Sequence, residues 1–276
     1  MSVTWSDEPD LKPAPLGVFG WLRVVIRGVP LGVVLVLGVL VHAVFRLVER
    51  PMFGQSRPLS SRVTQVVCRL ALIILGLDLR VQGDVMREPG AVVANHSSWL
   101  DIFVLNARKR IYFVAKAEVK GWAGIGWLAR LTGTVFIKRD RKDAKKHINT
   151  LRDRLALGHR LLFFPEGTSS DNKRVLPFKT TLFAPFLSDE VRGNAHIQPV
   201  TVVYHAPEGK DPRFYGWWGD MEFGNHALQV LGARKNGSVD IMCSPPLNMQ
   251  DWTDRKQLAL ELEETVRYEF KRLSKS

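Results

Sequence analysis

The hydrophobic residues of this chain are concentrated near its beginning, in residues 16–48. This stretch is long enough for the roughly 20 apolar residues of a membrane-spanning helix, provided that His42 is tolerated within it. A second apolar stretch, Val63–Leu79, contains charged residues and repeats its apolar positions at helical spacing, which favours an amphipathic or interfacial helix. We therefore predict a hydrophobic helical pair. Its first member either crosses the bilayer or enters one leaflet, and a buried core helix is the alternative.

Beyond this pair, short apolar runs alternate with longer helical stretches. The runs predicted as strands are Val92–Asn95, Ile111–Ala115, Thr134–Lys138, Leu161–Phe164, Gln198–Tyr204 and Val239–Cys243. Two helical stretches, Asp143–Leu157 and Trp252–Leu273, each keep their apolar residues on one face. The alternation predicts an α/β fold, with a mixed, largely parallel sheet that is flanked by helices and preceded by the hydrophobic pair.

Three regions follow from this pattern. Residues 1–15 are polar and contain proline, which indicates a mobile N-terminal tail. Residues 16–79 form the membrane-associating helical segment, and residues 80–276 form a single α/β domain without internal repeats.

Composition narrows the choice of partner. The formal net charge is +12, and the stretch from Arg108 to Lys146 holds twelve lysines and arginines against three acidic residues. Such an excess indicates an anionic partner, which could be a membrane surface, a phosphorylated substrate or a nucleic acid. No nucleic-acid recognition motif accompanies the charge, so we expect no nucleic-acid partner. The two cysteines, Cys68 and Cys243, lie far apart and predict neither a disulfide framework nor a metal site.

The first candidate for chemistry is the stretch from Val92 to Asp101. The apolar run ends in Asn95-His96, just past the predicted carboxyl end of a strand, where open α/β sheets bind their ligands. Asp101 follows five residues later, and a sharp turn would bring its carboxylate to the imidazole. Such a pair can act as a general base. A loop histidine followed by a helix-capping aspartate is the alternative.

Three further stretches carry candidate binding residues. Gly133 begins a run that ends in Lys138 and Arg139, whose side chains suit a phosphate. The run Phe163-Phe164-Pro165-Glu166-Gly167-Thr168 breaks a strand with an acidic residue, a glycine that allows close backbone approach, and hydroxyl groups. A basic solvated face and an ordinary turn are the respective alternatives. The last stretch places Pro199 in an apolar run, which predicts an irregular strand start lining the same cleft.

In this order, Asn-His-x4-Asp, Gly-x-x-Phe-Ile-x-Arg, Phe-Pro-Glu-Gly-Thr and Pro-Val resemble the motifs of the glycerolipid acyltransferase family, in particular the bacterial 1-acylglycerol-3-phosphate acyltransferases. The resemblance covers about residues 80 to 245. It implies that residues 80–276 are a catalytic domain, and the hydrophobic pair resembles the membrane-associating helices of that family.

The resemblance also implies roles for individual residues. His96 would be the general base for the acceptor hydroxyl, and Asp101 would orient it. Arg139, Glu166 and Gly167 match acceptor-binding positions, beside the hydroxyl of Thr168. Lys116 matches a lysine near the reacting carbonyl. The donor would be an acyl thioester of coenzyme A or of acyl carrier protein, and neither a metal nor a bound cofactor would be needed, because a thioester already has a good leaving group.

Two departures from the family pattern concern the acceptor. Ser169 stands where the family often has arginine, so a phosphate contact is missing unless Lys173 or Arg174 replaces it. The aromatic segment 214–221 is similar to a stretch in acyltransferases of lyso-ornithine and related aminolipids, and its Trp217 and Trp218 are either interfacial anchors or packing residues. Lysophosphatidate is the expected acceptor by family prevalence, with phosphatidic acid as product, and a lyso-aminolipid is the alternative.

A basic membrane adaptor without catalytic activity would explain the charge and the helices, but it would not explain four ordered motifs. A serine hydrolase would need a nucleophile, and no Gly-x-Ser-x-Gly is present. The basic linker between Arg46 and Arg62 favours the cytoplasmic side. We therefore expect an enzyme at the inner membrane, with its catalytic domain facing the cytoplasm and membrane lipids as its surroundings.

Overall fold

The computed structural model describes residues 5–121, 125–137 and 144–275. Its α-helices are α1 Val18–Phe53, α2 Ser60–Leu75, α3 Asp101–Arg108, α4 Ile125–Thr132, α5 Ala144–Ala156, α6 Asp189–Arg192, α7 Phe223–Gly232 and α8 Arg255–Leu273. Its strands are β1 Asp78–Gln82, β2 Gly90–Ala94, β3 Tyr112–Lys116, β4 Val135–Ile137, β5 Arg160–Phe163, β6 His196–His205, β7 Ser238–Cys243 and β8 Leu247–Asn248.

Within the described residues, the strands form one sheet in the order β1-β7-β6-β2-β5-β3-β4, with β8 also paired to β6. The strands from β6 to β4 run parallel, and only the pairs β6–β7 and β6–β8 are antiparallel. The mixed, largely parallel sheet is therefore confirmed, and all six predicted strands are present within the described residues. The carboxyl ends of β2 to β6 meet at one edge of the sheet, which we call the carboxyl edge.

Alternating residues of β2 face two hydrophobic layers. Ala91 and Val93 pack in the layer that contains the apolar faces of α5 and α8, whereas Val92 and Ala94 pack in the layer that contains α2, α3 and α7. All five residues of β2 are buried. A central strand that is covered on both faces has a continuous apolar sequence, which is why this strand could be predicted.

The sequence pattern predicts an irregular strand start at Pro199. In the structure, Pro199 lies inside β6. The structure accommodates it because β8 pairs with residues 196 and 197, whereas β7 pairs only from Val200 onward. Pro199 falls in the gap between these two antiparallel neighbours, where its missing N–H leaves no ladder bond unmade on that side.

The predicted hydrophobic pair is confirmed as two helices. The second ends at Leu75, four residues earlier than predicted, because Gly76 adopts a left-handed φ of 69°. The amide of Gly76 donates to Ile73 and that of Leu77 donates to Leu72, which is the hydrogen-bond pattern of a Schellman motif. Leu77 is thereby turned into the core, and the chain enters β1.

Helix α1 is attached to the rest of the molecule near both of its ends. Near its beginning, Arg23 and Arg27 donate to the last carbonyl groups of α7 at 2.6 to 2.9 Å. Near its end, His42 bonds the carbonyl of Leu131 at 3.0 Å, and Glu49 accepts the amide of Ser60 at 2.9 Å. One side of α1 therefore lies along the domain. The exposed side is apolar and includes Val18, Phe19, Leu22, Val25, Ile26, Val29, Val33, Val36, Leu37, Leu40, Val44 and Leu47.

Candidate active site

Asn95 extends the central strand pair by one more step. Its side chain donates to the carbonyl of Val202 and accepts the amide of Val202, both at 2.8 Å, so the side-chain amide takes the place of a backbone unit in the β2–β6 ladder. Because Asn95 is fully buried and both of its bonds end on β6, the backbone of His96 is fixed at the carboxyl edge.

His96 and Asp101 form the predicted pair. The Nδ1 atom of His96 lies 2.7 Å from Oδ2 of Asp101, and the Asp101 side chain is fully buried while that of His96 is 20% exposed. The carboxylate makes Nδ1 the protonated nitrogen, which leaves the Nε2 lone pair free to accept a proton. The pair therefore has the arrangement of a general base with an orienting carboxylate.

The remaining bonds of Asp101 rule out the capping alternative. Its Oδ2 also accepts the amides of Ser97 and Ser98 at 3.0 and 3.1 Å, and both residues precede α3 rather than lie inside it. Its Oδ1 accepts the hydroxyl of Tyr204 at 2.6 Å. Burial and the neighbouring Asp101 charge raise the pKa of Tyr204 well above its ordinary value, so the hydroxyl remains a donor. All of these bonds hold the carboxylate in place and give both of its oxygens a donor.

The ring of His96 is held on one face by Phe164, which follows β5. The two rings stack with centroids 4.0 Å apart and planes 10° apart. Stacking and the Asp101 bond together fix the plane of the imidazole, so that Nε2 has one direction in which to meet a substrate hydroxyl.

Glu166 contacts the backbone of the histidine. One of its carboxylate oxygens accepts the amide of His96 at 2.8 Å, and the other accepts the amide of Leu176 at 3.0 Å. Burial raises the pKa of Glu166 well above its ordinary value, although the two amide bonds act in the opposite direction. The side chain is 2% exposed. It was predicted as an acceptor contact, but in this structure both of its oxygens position the backbone around His96.

The turn after Glu166 brings the other candidate residues to the histidine. Gly167 adopts a φ of 76°, a conformation that favours glycine, and its amide bonds the carbonyl of Phe164. Thr168 is half-buried, and its hydroxyl accepts the amide of Trp5 at 3.3 Å. The amide of Ser170 donates to the carbonyl of His96 at 2.9 Å. Residues 166–170 thus surround the base on its backbone side.

The two remaining predicted site residues are Lys116 and Arg139, of which the structure describes only Lys116. Lys116 ends β3 at the carboxyl edge, two strands away from β2 in the sheet order. Arg139 lies outside the described residues; the strand that precedes it, β4, ends at Ile137 on the same edge. The roles of both residues remain predictions.

The aromatic segment packs directly against the site. The amide of Trp217 donates to the carbonyl of Ser97 at 2.8 Å. Tyr215 and Trp218 are buried, and Trp218 donates its indole N–H to the carbonyl of Glu8. Trp218 is therefore a packing residue and not an interfacial anchor, and the segment supports the loop that carries His96.

Residues 5–10 fall within the predicted tail, yet in the structure they lie against the site. The carbonyl of Trp5 accepts the amide of Gly219 at 3.1 Å, and Glu8 pairs with Arg174 at 2.8 Å. Arg174, one possible substitute for the missing arginine at Ser169, is also paired with Asp171 at 3.0 Å. Sequence reasoning missed Tyr204, Phe164 and Glu8 as parts of this site.

A buried aspartate, an oriented histidine at the carboxyl edge and a glycine turn beside them define a general-base site on an α/β sheet. The chain matches the family model named Acyltransferase over residues 78–203. It is 51% identical over 265 residues to the lyso-ornithine lipid O-acyltransferase of Rhodobacter capsulatus, a match that covers 96% of each chain. This chain belongs to the acyltransferase family and is an enzyme that acylates lysolipids.

Two more distant relatives complete the comparison. The 1-acyl-sn-glycerol-3-phosphate acyltransferase of Neisseria gonorrhoeae is 30% identical over 201 residues, which are 71% of this chain and 76% of the relative. The crystal structure of the 1-acyl-sn-glycerophosphate acyltransferase PlsC from Thermotoga maritima superposes with a TM-score of 0.63 at 20% identity, over 92% of this chain and 98% of that one. The structural match confirms the fold.

Proposed function

We propose that this chain transfers a fatty acyl group from an acyl thioester to the free hydroxyl of lyso-ornithine lipid. The observation that carries the proposal is the 51% identity to the Rhodobacter capsulatus enzyme, which extends over 96% of both chains. Lysophosphatidate, the acceptor expected from family prevalence, becomes the second candidate. It is favoured by the 30% identity to the Neisseria enzyme, but that match covers only 71% of this chain.

The site suggests the order of events. Nε2 of His96 removes the proton from the acceptor hydroxyl while the oxygen attacks the thioester carbonyl carbon. The resulting imidazolium is stabilised by Asp101, and the tetrahedral oxyanion calls for a donor, the role predicted for Lys116. When the oxyanion collapses, the carbon–sulfur bond breaks, the ester forms and the thiolate takes the proton from His96. The reaction balances without a metal or a bound cofactor, and acyl-CoA and acyl carrier protein are equivalent as donors in this scheme.

The acceptor is tested by competition between two lysolipids. Membranes or vesicles containing the full chain are supplied with a labelled acyl thioester and either lyso-ornithine lipid or lysophosphatidate. We expect kcat/KM to be at least about tenfold higher for lyso-ornithine lipid, since an unmatched charged contact costs about 1.5 kcal/mol or more. A preference for lysophosphatidate would contradict the proposed acceptor while leaving the acyltransferase class intact.

We further propose that α1 lies in the plane of one leaflet and does not cross the bilayer. Among the described residues, α1 is the one helix that is long and apolar enough to span a membrane. However, its contacts with α7, α4 and α2 extend from Arg23 to Glu49, so the helix lies against the domain over most of its length. Lipid contact is then left to the exposed apolar side. The location is the inner membrane, with the catalytic domain facing the cytoplasm.

Charges on the exposed side of α1 should release the enzyme from membranes. Val25, Val29 and Val36 are 56%, 60% and 60% exposed, so their replacement by aspartate would leave the fold intact. Each valine that no longer enters the bilayer loses about 1.5 kcal/mol of transfer free energy. The three together lose more than about 4 kcal/mol, or about a thousandfold in partitioning between membrane and water. Vesicle sedimentation measures the fraction of protein bound to the membrane. Leu260→Asp, at a 54% exposed position of α8, is the matched control and should stay bound. Continued membrane binding of the triple variant would refute the assignment of this face.

A further inference from the structure

The segment formed by residues 5–10 lies across the glycine turn of the active site. The amide of Trp5 donates to the hydroxyl of Thr168, a position that matches the acceptor motif, and Gly219 and Trp218 donate to the carbonyls of Trp5 and Glu8. These bonds tie the segment to the turn and to the aromatic segment 214–221. None of these three bonds depends on the charge of the Glu8 side chain.

The Glu8 carboxylate has a separate partner. It lies 2.8 Å from a guanidinium nitrogen of Arg174, and the same nitrogen lies 3.0 Å from the buried carboxylate of Asp171. The guanidinium also lies over the ring of Trp5, 5.1 Å from its centroid. Burial alone would lower the pKa of Arg174, but the bond to Glu8 and the charge of Asp171 raise it. One cation is thus shared between two anions and an aromatic ring.

The backbone of Arg174 is linked to that of His96 through one side chain. The hydroxyl of Ser170 lies 3.3 Å from the carbonyl of His96 and 3.2 Å from that of Arg174, so one side chain bridges the two backbones. The neighbouring cation Arg213 is paired with Asp211 at 3.0 Å. Arg174 and Arg213 therefore both have carboxylate partners.

We propose that Glu8 is a specificity-determining residue for the acceptor, because it pairs with Arg174 and so withholds that guanidinium from a phosphate group. A phosphate monoester carries close to two negative charges at neutral pH, so it is disfavoured by the second carboxylate on Arg174, which makes the net charge of the cluster negative. The ornithine headgroup carries one carboxylate and one ammonium group, so it loses little when Arg174 is neutralised. This inference rests on the proposed function and explains how a site with Ser169 in place of arginine discriminates against phosphate.

The test is Glu8→Gln, which keeps the size of the side chain and removes its charge. We measure kcat/KM for lyso-ornithine lipid and for lysophosphatidate with the purified full chain in vesicles. The ratio of lysophosphatidate to lyso-ornithine lipid turnover should rise about tenfold, the value of one charge-assisted hydrogen bond. Glu190→Gln removes an exposed carboxylate on α6 and serves as the matched control, with an unchanged ratio.

The double variant Glu8→Gln/Arg174→Gln separates specificity from structure. If Glu8 acts through Arg174, the second change should abolish the gain in lysophosphatidate turnover, whereas a general loosening of the segment would persist. An unchanged ratio in Glu8→Gln, or a gain that survives the loss of Arg174, would overturn the inference. The wild-type preference is a separate readout: if the wild type itself prefers lysophosphatidate, the proposed function fails, whatever Glu8→Gln does.

Discussion

His96→Ala is expected to lower kcat for acyl transfer by about 10² to 10⁴, the usual contribution of a general base. The loss falls on kcat because the imidazole takes the hydroxyl proton only as the oxygen attacks. The fold should survive, since the bonds that the backbone of His96 makes with Glu166 and Ser170 do not involve the ring. A label-transfer assay with purified protein and a thermal unfolding curve measure the two quantities.

The chain provides a matched control for this variant. His205 and Asp240 form a second histidine–aspartate pair, with Nε2 and Oδ2 2.8 Å apart and the histidine 27% exposed. His205 is the last residue of β6, and among the described residues its ring does not stack on Phe164 as that of His96 does. His205→Ala should leave kcat close to that of the wild type. If His96→Ala keeps full activity, or if both variants lose it equally, the assignment of His96 as the base is wrong.

Local sequence marked His96 and Asp101 as candidates, because the pair lies only five positions apart and follows a fully buried strand, but the four ordered motifs were needed to favour a general base over a capping aspartate. The contact from Tyr204 to Asp101 spans 103 positions, and nothing in the sequence around Tyr204 marks it as a partner. The same holds for Glu8, whose partner Arg174 lies 166 positions away. A polar N-terminal stretch is typical of a mobile tail. Only its tertiary partners distinguish a segment that is bound to the domain from such a tail.

The strands show the same limit. The central strand β2 is buried on both faces and has a continuous apolar sequence, so it was predicted. β1, with the sequence Asp-Leu-Arg-Val-Gln, was missed because it is an edge strand with alternating exposed positions, and its partner β7 lies about 160 residues away. β8 has only two residues, too few to produce a pattern.

Asp101→Asn is the second variant with a large expected effect. It tests whether the carboxylate sets the tautomer of His96. The oxygen Oδ2 accepts three N–H groups and Oδ1 accepts the Tyr204 hydroxyl. An asparagine amide has one acceptor oxygen. If that oxygen takes the Oδ2 position, its NH2 group donates to the Tyr204 hydroxyl, and the three N–H groups exchange a charged acceptor for a neutral one, at a cost of about 1–3 kcal/mol in stability. The neutral side chain also no longer favours the tautomer with the proton on Nδ1. We expect kcat to fall by about 10² or more.

Tyr204→Phe is the graded comparison for that variant. It removes the bond to Oδ1 and keeps all three bonds to Oδ2, so Nδ1 of His96 still faces a carboxylate. Its kcat should fall by no more than about tenfold, the value of one hydrogen bond to a charged group. Nitrogen-15 NMR of the imidazole reports the tautomer in each protein: Nδ1–H in the wild type and in Tyr204→Phe, and a mixture in Asp101→Asn. If Asp101→Asn loses stability but keeps both its kcat and the Nδ1–H tautomer, Asp101 is a structural residue, and His96 works as a base without an orienting carboxylate.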